Sequence, residues 1–204
     1  MLNPRYTGFT LDEKAQGASQ EFSKKLFEKI ATPRLINFGN KTSNHIKLVN
    51  FFANKIGYSF PKHDADKFGN LLSGYLYMYD DPKTLDDEAR RKLDEATGKH
   101  VYNNPHHPEY WSVFTADPNK YGCYSEDVKE KLISEFRRGN PPSGLDCSFM
   151  DIPSIVEMCC DWAAVGFVKG NSGKAWADKM IGNRWIFSDE QTSLIYNILK
   201  KIEE

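Results

Sequence analysis

Three of the five histidines lie close together, in the stretch HVYNNPHH that covers 100–107. They are His100, His106 and His107. A neutral imidazole is a common ligand of divalent iron, cobalt and zinc, so a cluster of this kind indicates a metal site. Next to a proline turn the cluster alone is weak evidence. Its interpretation therefore depends on where the other two histidines lie.

The remaining histidines occur beside residues of complementary chemistry. His63 and Asp64 are adjacent in HDADK, where an imidazole and a carboxylate can turn toward one centre, and Lys67 follows one helical turn later. His45 lies on an apolar stripe, a position where a histidine more often packs in the core than binds a ligand. Together with His63 and Asp64, however, His45 becomes a candidate metal ligand, and Lys67 would supply positive charge for a phosphate.

Two carboxylates occur in the most apolar helical segment of the chain. Glu157 and Asp161 lie four residues apart, and therefore on one face, of a helix predicted from Pro153 to Val168. Apart from them, the helix is apolar or small on every side, which indicates burial nearly all round. Buried carboxylates are costly unless they are hydrogen-bonded, paired or bound to metal. Either a structural hydrogen bond or ion pair, or a bound metal ion, would explain why two carboxylates occur in this helix.

Several further side chains have two interpretations. Glu109 could orient a metal-ligating imidazole or act as a general base, or it could be a solvated residue at a helix start. Trp111 and Trp162 are better explained as core anchors than as stacking surfaces for a substrate. The arginine pairs at 90–91 and 137–138 are typical of solvated helix faces, although either pair could reach toward an anionic substrate.

The elements that must position these residues are helices, because apolar residues recur at helical spacing and strand-like alternation is rare. A loop is expected at 32–44. Two capping boxes, Thr10 with Glu13 and Ser188 with Gln191, indicate where the first and last helices begin. The predicted helices cover 10–31, 44–57, 62–79, 85–100, 125–138, 153–168 and 188–201. This pattern predicts an all-α fold in a single domain.

Composition argues against several classes of protein. The chain has 27 basic and 28 acidic residues, so its net charge of −1 gives no strong nucleic-acid signal and no attraction to anionic membranes. No apolar run approaches the length of a membrane span, and the N-terminus does not resemble a signal peptide. The four cysteines are expected to be reduced, which suggests a cytoplasmic protein.

The order of these motifs resembles the HD-domain superfamily of metal-dependent phosphohydrolases, which is all-α and binds metal through the pattern H…HD…D. The chain is also similar to an uncharacterised family of bacterial and phage proteins with the pattern H…HDxSKF…H…NPHHxxYW…EMxxDW. The matching segments are HIKLVNFF, HDADKF, KHVYNNPHHPEYW and EMCCDWAAVG. They cover about 44–170, which implies an HD-like metal-binding core at 41–170, an N-terminal helical extension at 1–40 and a C-terminal helical segment at 171–204.

The resemblance implies a set of ligands for one or two divalent ions of iron, manganese, cobalt, zinc or magnesium. Asp64 would bridge the two sites, and either His106 or His107 would join His100 at the second. Asp66 departs from the pattern, because many HD hydrolases have glycine there; it could recruit another cation or indicate a substrate without phosphate. The ligands implied for the first ion are His45, His63, Asp64 and Asp161.

The expected function is hydrolysis of a nucleotide or other small phosphoester by a metal-activated water. Asp64, Lys67 and Glu109 are the expected catalytic residues. Two alternatives stay open: a diiron oxygenase of the HD type, and a non-catalytic protein that binds a nucleotide or a partner and contains a structural metal. The oligomeric state is not predicted.

Overall fold

The computed structural model describes residues 33–117, 120–124 and 126–204, and within them the predicted all-α fold is confirmed. The helix predicted at 10–31 lies outside the described residues. Chain contacts separate Met1–Asn37 from a larger unit, Phe38–Glu204, which holds every candidate site residue. The eight α-helices of the described residues are α1 (Pro33–Asn54), α2 (Leu72–Tyr75), α3 (Asp87–Asn103), α4 (Pro108–Trp111), α5 (Glu126–Glu135), α6 (Ile152–Val168), α7 (Gly173–Met180) and α8 (Asp189–Glu203).

Four short strands accompany the helices. Strands β1 (Phe114–Asp117) and β2 (Lys120–Tyr124) form an antiparallel pair. Strands β3 (Leu145–Asp146) and β4 (Trp185–Ile186) pair in parallel, which ties the segment before α6 to the segment before α8. No helix among the described residues is long and apolar enough to cross a membrane.

Helix α1 begins earlier than its sequence predicts. The prediction of a loop at 32–44 is wrong, because the helix runs without a break from Pro33 to Asn54. Proline is well tolerated in a first helical turn, where its missing N–H costs nothing. Burial of Phe38 and Thr42 continues the face that carries Val49 and Phe52, so packing overrides the loop-like composition of this segment.

The prediction of a single helix at 62–79 is also wrong. The segment consists of turns, a 3₁₀ helix at Ala65–Phe68 and the short α2. Asp64 adopts a left-handed backbone conformation with φ 57°, which no α-helix can contain. Gly74 packs against α3 so closely that a Cβ there would lie 2.4 Å from the Lys92 carbonyl oxygen.

Helix α6 is the centre of the fold, as its apolar composition predicts. Ile155, Met158 and Cys159 are fully buried in a core that α6 shares with α7 and α8. Asp151 caps its first turn by accepting a hydrogen bond from the Ser154 N–H. The capping box predicted at Ser188 and Gln191 is confirmed at the start of α8. Glu157 and Asp161 therefore lie on a rigidly packed helix.

Candidate metal centre

The structure brings the seven predicted metal ligands together from five segments of the chain. His45 comes from α1, His63 and Asp64 precede the 3₁₀ helix, and His100 lies in the last turn of α3. His106 and His107 lie in the loop between α3 and α4, and Asp161 lies on α6. Their side chains form groups of His and Asp that could hold a metal ion.

The first group combines side chains from α1, from the segment that carries His63 and Asp64 (the HD segment), and from α6. The Nε2 atom of His45 lies 3.0 Å from Asp161 Oδ1 and 3.2 Å from His63 Nε2. Asp64 Oδ2 approaches the same point, at 3.6 Å from His45 Nε2 and 3.7 Å from His63 Nε2. Two imidazole nitrogens and two carboxylate oxygens thus converge on one small volume.

The second group lies on the other side of Asp64. Its Oδ1 atom is 3.1 Å from His100 Nε2 and 3.7 Å from His106 Nε2. His107 Nε2 lies 2.9 Å from His100 Nε2. The sequence leaves open whether His106 or His107 belongs here, and the geometry places both in the group. Because the two oxygens of Asp64 face different groups, this carboxylate is placed to bridge them.

Hydrogen bonds at Nδ1 fix the orientation of two imidazoles whose Nε2 atoms face the candidate ligand groups. His63 Nδ1 lies 2.8 Å from Glu157 Oε1, and His100 Nδ1 lies 2.8 Å from Asp66 Oδ2. An N–H donated to a carboxylate leaves the Nε2 lone pair of a neutral ring facing the centre, which is the arrangement typical of metal-ligating histidines. Asp66, the residue that departs from the HD pattern, thus orients His100.

The protonation states also suit a cation. Burial, together with the nearby His63, lowers the pKa of His106 to about 3. Burial also lowers the pKa of His107 well below its usual value. Burial would raise the pKa of Asp161, but the hydrogen bond and charge of His45 outweigh it and lower this pKa. His106 and His107 are therefore in the neutral form that binds a metal, and Asp161 is ionised. Burial would lower the pKa of His63, but the hydrogen bond to Glu157 and the charges of Asp64 and Asp161 outweigh it and raise this pKa.

Buried polar atoms without a hydrogen bond are the strongest sign that these residues fit a metal ion. His106 Nε2 and Asp64 Oδ1 are buried, and within the described part of the chain neither forms a well-aligned hydrogen bond, although Asp64 Oδ1 lies 3.1 Å from His100 Nε2. Burying a polar atom without a partner is costly, so native structures seldom do it without a reason. Both atoms point into the second group, where a bound cation would satisfy them.

Lys67 lies beside the bridging carboxylate. Its Nζ is buried, 2.6 Å from Asp64 Oδ2, and 5.2 Å from the centre of the Tyr75 ring. Burial would lower the pKa of Lys67, but the charge of Asp64 outweighs burial and raises it. Lys67 is therefore a fixed cation at the edge of the centre.

Glu109 is not a solvated residue at a helix start, because its side chain is only 1% exposed. Its Oε1 accepts hydrogen bonds from Arg184 Nη2 at 2.6 Å and from Trp185 Nε1 at 3.3 Å. Its proposed catalytic role stays a prediction.

Trp162 packs flat against Trp185, with ring centres 5.4 Å apart, which agrees with the prediction that Trp162 is a core anchor.

Two cavities open onto the candidate metal centre, the volume between the seven predicted ligands. The front cavity, of about 500 Å³, is lined by His45, Asp64, Lys67, His100, His107 and Asp161, among others. The side chamber, of about 460 Å³, is lined by Glu109, Trp162, Trp176, Lys179, Arg184 and Trp185, among others. His107, Asp161, Arg138 and Lys169 line both. Sequence patterns did not single out Lys169, Lys179 or Arg184, which come from segments without a recognisable motif.

The fold and the site together define an all-α protein with buried histidine and aspartate groups that could hold a metal ion. The chain belongs to a family described as a family of unknown function (DUF5662), whose model matches residues 35–201. Comparisons with curated proteins and with solved structures found no match. The family match covers every candidate residue and continues beyond 170 into the C-terminal helices.

Proposed function

We propose that the protein is a metal-dependent phosphohydrolase of the HD type that acts on a nucleotide or another small phosphoester. One observation carries the proposal: two groups of candidate metal ligands, made up mostly of imidazoles, converge on the two oxygens of Asp64. One group contains His45, His63 and Asp161, and the other contains His100, His106 and His107. These donors suit one or two divalent ions of iron, manganese, cobalt or zinc, and the carboxylates also suit magnesium.

A divalent ion held there would lower the pKa of a bound water and polarise a phosphoryl oxygen. The protein contributes orientation and charge. Glu157 and Asp66 hold His63 and His100 in position, and the cationic Nζ of Lys67 stands where it can offset negative charge on a phosphoryl group. The front cavity admits a small substrate to His107 and Asp161, which form part of its wall.

The proposal is tested by measuring metal content and hydrolysis on the same preparations. We expect wild-type protein to contain stoichiometric metal and to release phosphate or pyrophosphate from a member of a nucleotide panel. His63→Ala and Asp64→Asn should lower turnover by at least about 100-fold, because both remove groups at the centre. Asp178→Asn, on the exposed surface of α7, is the matched control and should behave like wild type.

Two results would overturn the proposal. Absence of stoichiometric metal after reconstitution would remove its basis. Full hydrolytic activity in both His63→Ala and Asp64→Asn would place the chemistry elsewhere. Tight binding of a nucleotide without turnover under any metal would instead favour a non-catalytic binding protein.

The number of imidazoles favours one second candidate. Five of the seven converging side chains are histidines, and imidazole is a good ligand for iron. A diiron oxygenase would use the same residues. Iron-dependent visible absorption with oxygen consumption, and no release of phosphate, would support oxygenation over hydrolysis.

A further inference from the structure

The wall shared by the two cavities carries unpaired positive charge. Arg138 and Lys169 are exposed and line both the front cavity and the side chamber. Within the described residues neither side chain forms an ion pair, and the contact of Arg138 with Asp94 is made by its backbone N–H. Both charges therefore remain available to an anion that reaches the cavities.

The side chamber is lined by four basic side chains, which include Arg138 and Lys169, and by two carboxylates. Lys179 and Arg184 line it, together with the carboxylates of Glu109 and Asp161. Arg184 is neutralised by Glu109, at 2.6 Å, whereas Asp161 turns toward His45, at 3.0 Å. Among the described residues that line the chamber, the lysines and Arg138 form no ion pair, and their charge gives a positive potential next to the centre.

Backbone groups contribute little to this potential. The first turn of α7 lies near the chamber, since Asn171 and Ser172 line it. However, the N–H groups of Gly173 and Lys174 already donate to the Glu203 carboxylate, and that of Ala175 donates to Ser172 Oγ. An anion in the chamber must therefore be bound by side chains.

We propose that Arg138 and Lys169 bind a second phosphate group of the substrate, next to the phosphate that is attacked at the metal centre. This inference rests on the proposed function and narrows it to phosphoesters that carry two or more phosphate groups, such as nucleoside diphosphates. A monophosphate would reach the centre and leave Arg138 and Lys169 unused. The pair thus determines specificity through a contact away from the reacting atoms.

Binding of small phosphates tests the pair directly. Inorganic pyrophosphate and orthophosphate are titrated calorimetrically into the full chain, both as purified and after chelation of metal. In Arg138→Gln/Lys169→Gln we expect the affinity for pyrophosphate to fall by about tenfold or more, because two charge-assisted contacts are lost. The matched control is Lys201→Gln, an exposed lysine on α8 that lines neither cavity. Unchanged pyrophosphate affinity in the double variant overturns the inference.

Kinetics separate this inference from the proposed function. With an active preparation, the double variant should raise KM for a nucleoside diphosphate and leave kcat, and turnover of the monophosphate, nearly unchanged. Equal effects on both substrates would overturn the specificity role, while the hydrolase proposal would stand. If no metal or activity is found but pyrophosphate binding still depends on Arg138 and Lys169, the anion site stands and the hydrolase proposal falls.

Discussion

Asp66 shows how a residue outside the shared pattern can serve the centre. Its Oδ2 atom lies 2.8 Å from His100 Nδ1 and accepts a hydrogen bond from Asn104 Nδ2 at 2.7 Å. Burial would raise the pKa of Asp66, but the hydrogen bond and charge of His100 outweigh it and lower this pKa. One oxygen of the carboxylate is thus held by His100 and Asn104, whereas the other, Oδ1, is buried and forms no hydrogen bond within the described residues.

Asp66→Ala should weaken metal binding by about 10- to 100-fold, the usual cost of losing a partner that orients a ligating histidine. Asp66→Asn should cost less, because its amide oxygen can still accept the His100 N–H. Competition with a chromophoric chelator measures the affinity. Wild-type affinity in Asp66→Ala would contradict this assignment, and Asp178→Asn again serves as the control because its carboxylate pairs with an exposed lysine.

At the scale of elements, the contact between α2 and α3 fixes the segment that follows the HD motif. A Cβ on Gly74 would lie 2.4 Å from the Lys92 carbonyl oxygen and 2.5 Å from Ala96 Cβ. Neither atom can move without shifting the backbone of α3. Because α3 also carries His100, this close approach helps to set the position of the second histidine group.

Gly74→Ala should therefore destabilise the protein by about 1–3 kcal/mol, the usual cost of overpacking. The matched control is Gly39→Ala on α1, where an added Cβ meets no described atom within 4 Å. There the lower conformational entropy of alanine in the unfolded chain should stabilise by roughly 0.4–1 kcal/mol. Urea unfolding followed by circular dichroism measures both. A Gly74→Ala variant as stable as wild type would show that α2 and α3 have room to separate.

Local patterns predicted some elements well and others badly. Helices α6 and α8 were predicted closely because an apolar segment and a capping box are signals within the sequence itself. The segment 62–79 was not, because the φ of Asp64 and the packing of Gly74 depend on distant residues. The clustered histidines and buried carboxylates indicated a metal site, but the grouping of the candidate ligands into two sets was implied by the resemblance to the HD pattern and not by spacing. Lys169 stands near the centre only through the tertiary fold, so spacing could not reveal it, whereas Arg138 belongs to an arginine pair that the sequence left open between a solvated helix face and a contact with an anionic substrate.

At the scale of the whole molecule, the candidate centre connects parts of the chain that are far apart in sequence. His45 on α1 and Asp161 on α6 approach to 3.0 Å, and Asp64 contacts groups from the HD segment and α3. A cation bound at this point would restrain α1, α3 and α6 together, in addition to the apolar core that α6 shares with α7 and α8.

Removal of metal should therefore lower the melting temperature of the whole unit Phe38–Glu204 and not of one helix alone. A ligand present at 100 times its Kd stabilises the folded state by about 2.7 kcal/mol. Thermal unfolding with and without chelator, followed at helical and aromatic wavelengths, should show one transition that shifts as a unit. In Asp64→Asn the shift on chelation should be largely lost, because the carboxylate that faces both groups is gone. A wild-type transition insensitive to chelation and to added metal would mean that the packed helices alone hold these histidines together.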